Sequence, residues 1–138
     1  VLLLDTHVWI WSVQGDTRVG RRARQLLARA EARAEIRVSV MTVFEVAALH
    51  ALGRLRLARS LDQWIREALS AAGIYLADIS PDIAIDAGVI PRESLADPLD
   101  RLLVASARQL DAALLTGDAR ILDYASGSRN VRVVDARV

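Results

Sequence analysis

The feature that most constrains this chain is a repeated succession of very short apolar runs and longer segments with helical spacing. Residues 1–4 are apolar throughout and stop at Asp5, too short for a core helix and typical of a strand buried on both faces. From Val19 through Ala23, Leu26, Leu27, Ala30 and Ala34 the apolar positions recur at gaps of three and four, with arginines opposite, which predicts an amphipathic helix. Ile36, Val38 and Val40 then alternate with Arg37 and Ser39 as a second strand. Val43, Phe44, Ala47, Ala48, Ala51 and Leu52 return to helical spacing and stop at Gly53. Another helix is introduced by Ser60 and Asp62 and carries Leu61, Trp64, Ile65, Ala68 and Leu69. Gly73 closes it before the apolar run 74–77, the third strand.

The second half repeats the pattern. Residues 81–88 read as a short helix and 89–96 as a loop. Asp97-Pro98 starts a helix, with Asp at the N-cap and Pro in the first position, that reaches about Leu110. Residues 112–116 form a fourth strand, 119–124 a short helix, 126–130 a polar turn and 131–134 a last strand. Strands alternating with helices of this length imply βαβ units and a parallel sheet covered on both faces. The expected class is therefore α/β, with residues 1–138 as a single domain, and the chain shows neither an internal repeat nor a low-complexity segment.

Composition removes several chemistries. The chain has no cysteine, which excludes disulfides, zinc-thiolate sites and thiol nucleophiles and agrees with a reducing compartment. All 18 basic residues are arginines. Without lysine there is no P-loop nucleotidase and no Schiff-base enzyme, and a phosphate-accepting receiver domain is disfavoured. A G-x-G-x-x-G fingerprint is also absent. No apolar run approaches the roughly 18 residues of a membrane span, and the start of the sequence lacks signal-peptide character, so the expectation is a cytoplasmic protein with no membrane association. The net charge of +1 conceals an asymmetry: residues 1–69 hold 11 arginines and 7 acids, residues 70–138 hold 7 arginines and 10 acids. An anionic partner beside an acidic site would fit that split, although ordinary domains show it too.

Ligands of open parallel sheets bind beyond the carboxyl ends of the strands. Four acids fall there: Asp5 directly after the first strand, Glu45 in the first turns after the second, Asp100 in the first turn of the helix entered at Pro98, and Asp118 two residues after the fourth. Each alone has a plain explanation. Asp5 and Asp118 can cap the segments they precede, Thr42-x-x-Glu45 fits a capping box, and Asp100 suits the positive end of a helix dipole. Capping does not explain why four carboxylates should meet at one edge, where like charges within about 6 Å oppose joint ionisation. A divalent cation resolves that conflict. An all-oxygen donor set selects a hard ion, Mg²⁺ or Mn²⁺, and phosphodiester hydrolysis is the natural reaction for it.

Four motifs carry a resemblance: Leu2-Leu3-Leu4-Asp5-Thr6-His7-Val8, Thr42-Val43-Phe44-Glu45-Val46, Asp97-Pro98-Leu99-Asp100-Arg101-Leu102-Leu103-Val104-Ala105 and Leu115-Thr116-Gly117-Asp118. Each is weak alone, but in this order and spacing, over nearly the whole chain, they resemble the PIN-domain ribonucleases, specifically the VapC-like toxins of type II toxin–antitoxin pairs. The resemblance implies a PIN-like α/β/α sandwich with a central, mostly parallel sheet of four to five strands. It implies a Mg²⁺-dependent (or Mn²⁺-dependent) endoribonuclease whose acidic quartet maps onto Asp5, Glu45, Asp100 and Asp118 as catalytic and metal-holding residues. Thr6 and Thr116 would orient a carboxylate or a bound water. Asp97 is an additional candidate ligand, its N-cap position before Pro98 being the simpler role. The implied partners are an RNA substrate, a second copy of the chain, and a VapB-like antitoxin whose C-terminal segment lies in a groove and blocks the site. Two departures stand out: Leu95 occupies a position where many relatives have histidine, and Leu49, beside His50, one where they have a basic residue.

The remaining conspicuous residues read more simply. His7 and His50 lack the paired spacing of a metal site. The arginines at 18, 21, 22, 29 and 33 read as a solvated helix face. Trp9, Trp11 and Trp64 read as core, with Trp64 expected near a groove between the helices at 43–52 and 61–69. Two further readings keep the fold: a catalytically silent binding or scaffold module whose acids are caps, and a metal-dependent DNA nuclease sharing the acidic site.

Overall fold

A computed structural model describes residues 1–127 and 130–138. Along the chain it contains β1 (Leu2–Leu4), α1 (Thr6–Gln14), α2 (Arg21–Ala32), β2 (Ile36–Ser39), α3 (Val40–Ala51), α4 (Leu61–Leu69), β3 (Ile74–Ala77), α5 (Pro81–Val89), α6 (Pro98–Gln109), β4 (Ala113–Thr116), α7 (Ala119–Ser126) and β5 (Arg132–Asp135). The five strands form one sheet in the order β3-β2-β1-β4-β5, and every neighbouring pair is parallel. The expected α/β/α sandwich and its parallel sheet are present.

β1 is the middle strand and is buried on both faces, which is why its sequence is apolar without alternation. Leu2 and Leu4 join a core with Trp9, Leu27, Val38, Val46 and Trp64, whereas Leu3 packs with Leu103, Val104, Leu114 and Ile121 on the other side. The register places Leu4 opposite both Val38 and Leu115, so the chain leaves β1, β2 and β4 at one level. From β1 the chain moves outward through β2 and β3, then crosses back so that β4 lies on the other side of β1. That reversal makes the carboxyl end of the β1–β4 pair the switch point, where a crevice opens in sheets of this kind.

Helix boundaries follow local chemistry. Asp97 caps α6 by accepting from the Leu99 N–H at 2.8 Å, with Pro98 at the first position, as the sequence predicts. α3 ends at Ala51, with Gly53 in the left-handed region at φ 71°. One boundary shifts, and one helix goes unmarked in the sequence. The second strand stops at Ser39 rather than running to Val40, because the Ser39 hydroxyl accepts from the Met41 N–H at 3.1 Å and starts α3 there. The segment after Asp5, which shows no helical period, is the helix α1. It is buried around most of its circumference, with Thr6, Val8, Trp9, Ile10 and Trp11 all inside, so no polar stripe marks it. Of the polar turn expected at 126–130, residues 128 and 129 lie outside the described residues. Among the described residues no helix is long and apolar enough to cross a membrane.

Candidate active site

The site starts where β1 ends. Asp5 leaves the strand in extended conformation and caps α1, its Oδ1 accepting from the Val8 N–H at 2.9 Å. Its Oδ2 accepts from the Thr116 hydroxyl at the end of β4, bridging the two strands that flank the switch point. Thr116 is fully buried and its hydroxyl also accepts from the Asp118 N–H at 3.0 Å, so one side chain fixes both the Asp5 carboxylate and the chain that presents Asp118. Thr6, the next residue after Asp5, donates to Glu45 Oε1 and ties the start of α1 to α3. Both threonines therefore hold carboxylates of the expected quartet.

Asp118 caps α7, accepting from the Arg120 N–H at 2.8 Å, and the Arg120 guanidinium reaches both of its oxygens at 3.3 and 3.1 Å. Burial pushes the Asp118 carboxyl upward, but the hydrogen bonds and charge of Arg120 outweigh it and hold the group below the usual carboxylate range. Asp100, in the first turn of α6, is the opposite case. Its Oδ2 is buried with no hydrogen-bond partner. Burial first, then the charges of Asp97 and Asp118, with a smaller contribution from Glu45, push it up to about 7 against the pull of Arg120. Asp5 is raised chiefly by burial, against the hydrogen bonds from Thr116 and Val8 and the charge of His7, with Asp118 adding to the rise.

These influences link the four acids into one electrostatic group: Asp5 with Asp118, and Asp100 with Asp118 and Glu45. As the side chains stand, no three histidine, aspartate or glutamate groups among the described residues form a ready ion cage. Glu45 is turned to Thr6 and Asp118 to Arg120. The donor chemistry nevertheless fits a hard divalent ion: the acids are all-oxygen ligands, they repel one another, and the buried Asp100 oxygen has no protein partner.

One alternative for Glu45 fails. The N-cap of α3 is Ser39, so Thr42 and Glu45 lie inside the helix and form no capping box. The Asp5, Asp97 and Asp118 side chains do cap helices, and Asp100 does lie in a first turn, so capping and membership of the acidic group coexist. Sequence reasoning passed over Arg120, two residues beyond Asp118, and Arg137, which β5 brings to the same edge through the Ala136 N–H bond to Thr116 O at 2.8 Å. Only the spacing from Asp118 could have signalled the first; the second depends on strand order. Trp64 lines a groove as expected, but one bounded by α1, α2 and α4 rather than by α3 and α4.

Comparison with known proteins agrees with this architecture. The PIN domain family model matches residues 2–127. The chain is 31% identical over 123 residues to Ribonuclease VapC22 of Mycobacterium tuberculosis, covering 89% of this chain and 91% of that protein. Among solved structures, a DNA-bound VapBC from Salmonella typhimurium superposes with a TM-score of 0.69 at 17% identity, covering 97% of this chain and 96% of that one. VapBC2 from Rickettsia felis, bound to a promoter DNA fragment, gives 0.65 at 15% identity with 97% of each chain covered. A toxin–antitoxin complex from Klebsiella pneumoniae gives 0.62 at 22% identity, covering 97% of this chain and 96% of that one. The chain belongs to the PIN-domain family and, within it, to the VapC ribonucleases.

Proposed function

We propose that residues 1–138 act as a single PIN domain, a metal-dependent endoribonuclease that hydrolyses RNA phosphodiester bonds as the toxin of a toxin–antitoxin pair. The catalytic part is supported by the electrostatic influence of Asp118 on Asp5 and of Asp118 and Glu45 on Asp100 beyond the strand ends, together with the buried Asp100 oxygen that lacks a partner. Asp5, Glu45, Asp100 and Asp118 would hold Mg²⁺ or Mn²⁺, with Asp97 at the margin. A bound ion of this kind lowers the pKa of water and neutralises charge developing on phosphorus.

The chain's own residues do the rest. Thr116 and Thr6 aim the Asp5 and Glu45 carboxylates, and the cap bond from Val8 fixes the Asp5 side chain against rotation. Without metal, burial and the neighbouring carboxylates raise the Asp100 carboxyl to about 7, and a bound cation would offset that repulsion and favour its charged form. Arg120, already beside Asp118, supplies a cation at the rim where a phosphate approaches.

The partners follow the same reading. A groove of about 630 Å³ lined by Val13, Leu27, Trp64, Ala68 and Ile74 offers an apolar bed for a VapB-like antitoxin segment. Exposed Phe44 on α3 and exposed Ile85 and Val89 on α5 supply apolar surface for a homodimer, and a chain without cysteine suits the reducing cytoplasm. The test is cleavage of a labelled pool of RNA sequences by the purified protein with Mg²⁺, with EDTA, and with matched DNA. Cleavage of RNA in the first case alone is expected. Cutting that persists in EDTA, or of DNA only, overturns the reading; no cutting of any sequence, with no binding of Mg²⁺ or Mn²⁺, moves the assignment to a silent scaffold.

A further inference from the structure

Beside the acidic group lies a cleft of about 480 Å³ whose walls include Asp5 and Asp118 but also His7, Trp11, Arg18 and Arg137. Its construction is specific. Trp11 is buried in the second half of α1, and two guanidinium groups lie over its ring, Arg18 at 4.8 Å and Arg137 at 5.7 Å from the centroid. Cation–π contact of this kind holds an arginine in place without neutralising its charge. The Arg18 fork is occupied by Asp16 at 2.7 Å, so that pair is close to neutral. The Arg137 backbone N–H donates to Asp135 Oδ1 at 2.9 Å, but its guanidinium forms no ion pair with a carboxylate among the described residues, and the side chain is exposed and lines the cleft.

The backbone around Arg137 is fixed. The Ala136 N–H donates to Thr116 O at 2.8 Å, and Ala136 O accepts from the Gly20 N–H at 2.8 Å. Gly117 completes the arrangement by lacking a side chain: a Cβ there would fall 3.1 Å from Arg137 Nε and 3.3 Å from the Trp11 ring. Glycine thus lets the guanidinium and its aromatic platform close in next to Asp118. Exposed His7, with its ring centroid 6.1 Å from that of Trp11, flanks the opening.

A site made of carboxylates repels a polyanion, and a neighbouring unpaired cation offsets that repulsion and draws the strand in. We propose that this cleft is a nucleotide subsite: Arg137, presented by Trp11 across Gly117, takes an RNA backbone phosphate adjacent to the one being cut, and His7 borders the neighbouring nucleotide. The inference rests on the ribonuclease reading and deepens it by naming the residues that seat the strand. Trp11 and Gly117 are positioning residues; Arg137 is the group that touches substrate.

The experiment measures anisotropy of a fluorescent, fully 2′-O-methylated single-stranded RNA, which resists cleavage, with protein in EDTA at several salt concentrations. Arg137→Gln is expected to weaken binding about tenfold at low salt and to reduce the slope of log K against log salt by about 0.7, the signature of one lost phosphate contact. Arg137→Lys is expected to recover most of the slope. Arg66→Gln removes the same charge from α4, where Arg66 pairs with Asp62, and is expected to change the slope little. With cleavable RNA, the Arg137→Gln defect should raise KM more than it lowers kcat. Affinity and slope unchanged in Arg137→Gln, or an equal loss in Arg66→Gln, overturn the subsite while leaving the nuclease standing. Wild-type protein that neither binds nor cleaves RNA overturns both.

Discussion

Asp100→Asn is expected to reduce metal-dependent RNA cleavage on the order of 10³-fold, while making the metal-free protein more stable above pH 7. The first effect follows from removing an anionic ligand where charge is neutralised in the transition state. A loss of about 4 kcal/mol there corresponds to about three powers of ten in rate. The second follows from the state of Asp100 without metal. Its carboxyl is pushed up to about 7 by burial and by Asp97 and Asp118, whereas in the unfolded chain it titrates near 3.8. Between those values the folded protein retains a proton that the unfolded chain has released, so stability falls as pH rises from about 4 to 7 and stays reduced above that window. Asn carries no charge and escapes this cost. Thermal denaturation in EDTA at pH 5 and pH 8 checks it: the wild type should lose stability between the two relative to Asp100→Asn. If Asp100 served only to complement the α6 dipole, the substitution would lower the melting temperature at pH 8 and leave activity intact.

Trp9→Ala is expected to cost about 3–5 kcal/mol, a large share of the 5–15 kcal/mol by which domains of this kind are stable. Trp9 is fully buried on α1 and meets Trp64 of α4 edge to face, with centroids 5.2 Å apart and planes at 66°. Truncation opens a cavity between the sheet and two helices and removes the aromatic pair. Trp9→Phe should cost less than Trp9→Ala, because it keeps a ring against Trp64 and removes an indole N–H that has no partner where it is buried. Urea denaturation followed by circular dichroism reads both variants. An unfolding free energy for Trp9→Ala within about 1 kcal/mol of wild type would show that the α1–α4 contact does not hold the fold.

The strands and amphipathic helices were legible because their burial writes a period into the sequence: α2 and α6 each carry one polar face, and Asp97-Pro98 marks a helix start chemically. α1 was not legible for the converse reason. Buried on most sides, it replaces the helical period with a run of β-branched and aromatic residues, Thr6, Val8, Trp9, Ile10 and Trp11, that propensity assigns elsewhere. The four acids could be singled out from the sequence because parallel topology sends every strand end to one edge. Glu45 shows where local reading failed: Thr42-x-x-Glu45 has the form of a capping box, but Ser39 begins the helix a turn earlier. Arg137 was beyond reach, since only the pairing of β5 with β4 brings it over Gly117.

Whether the four carboxylates beyond the strand ends act as one ion-binding unit is read by calorimetric titration of Mn²⁺ into metal-free wild type and into Asp5→Asn, Glu45→Gln, Asp100→Asn and Asp118→Asn. The wild type is expected to bind, and each folded variant to lose at least about tenfold in affinity. No binding to the wild type, or equal affinity in all five proteins, would contradict it.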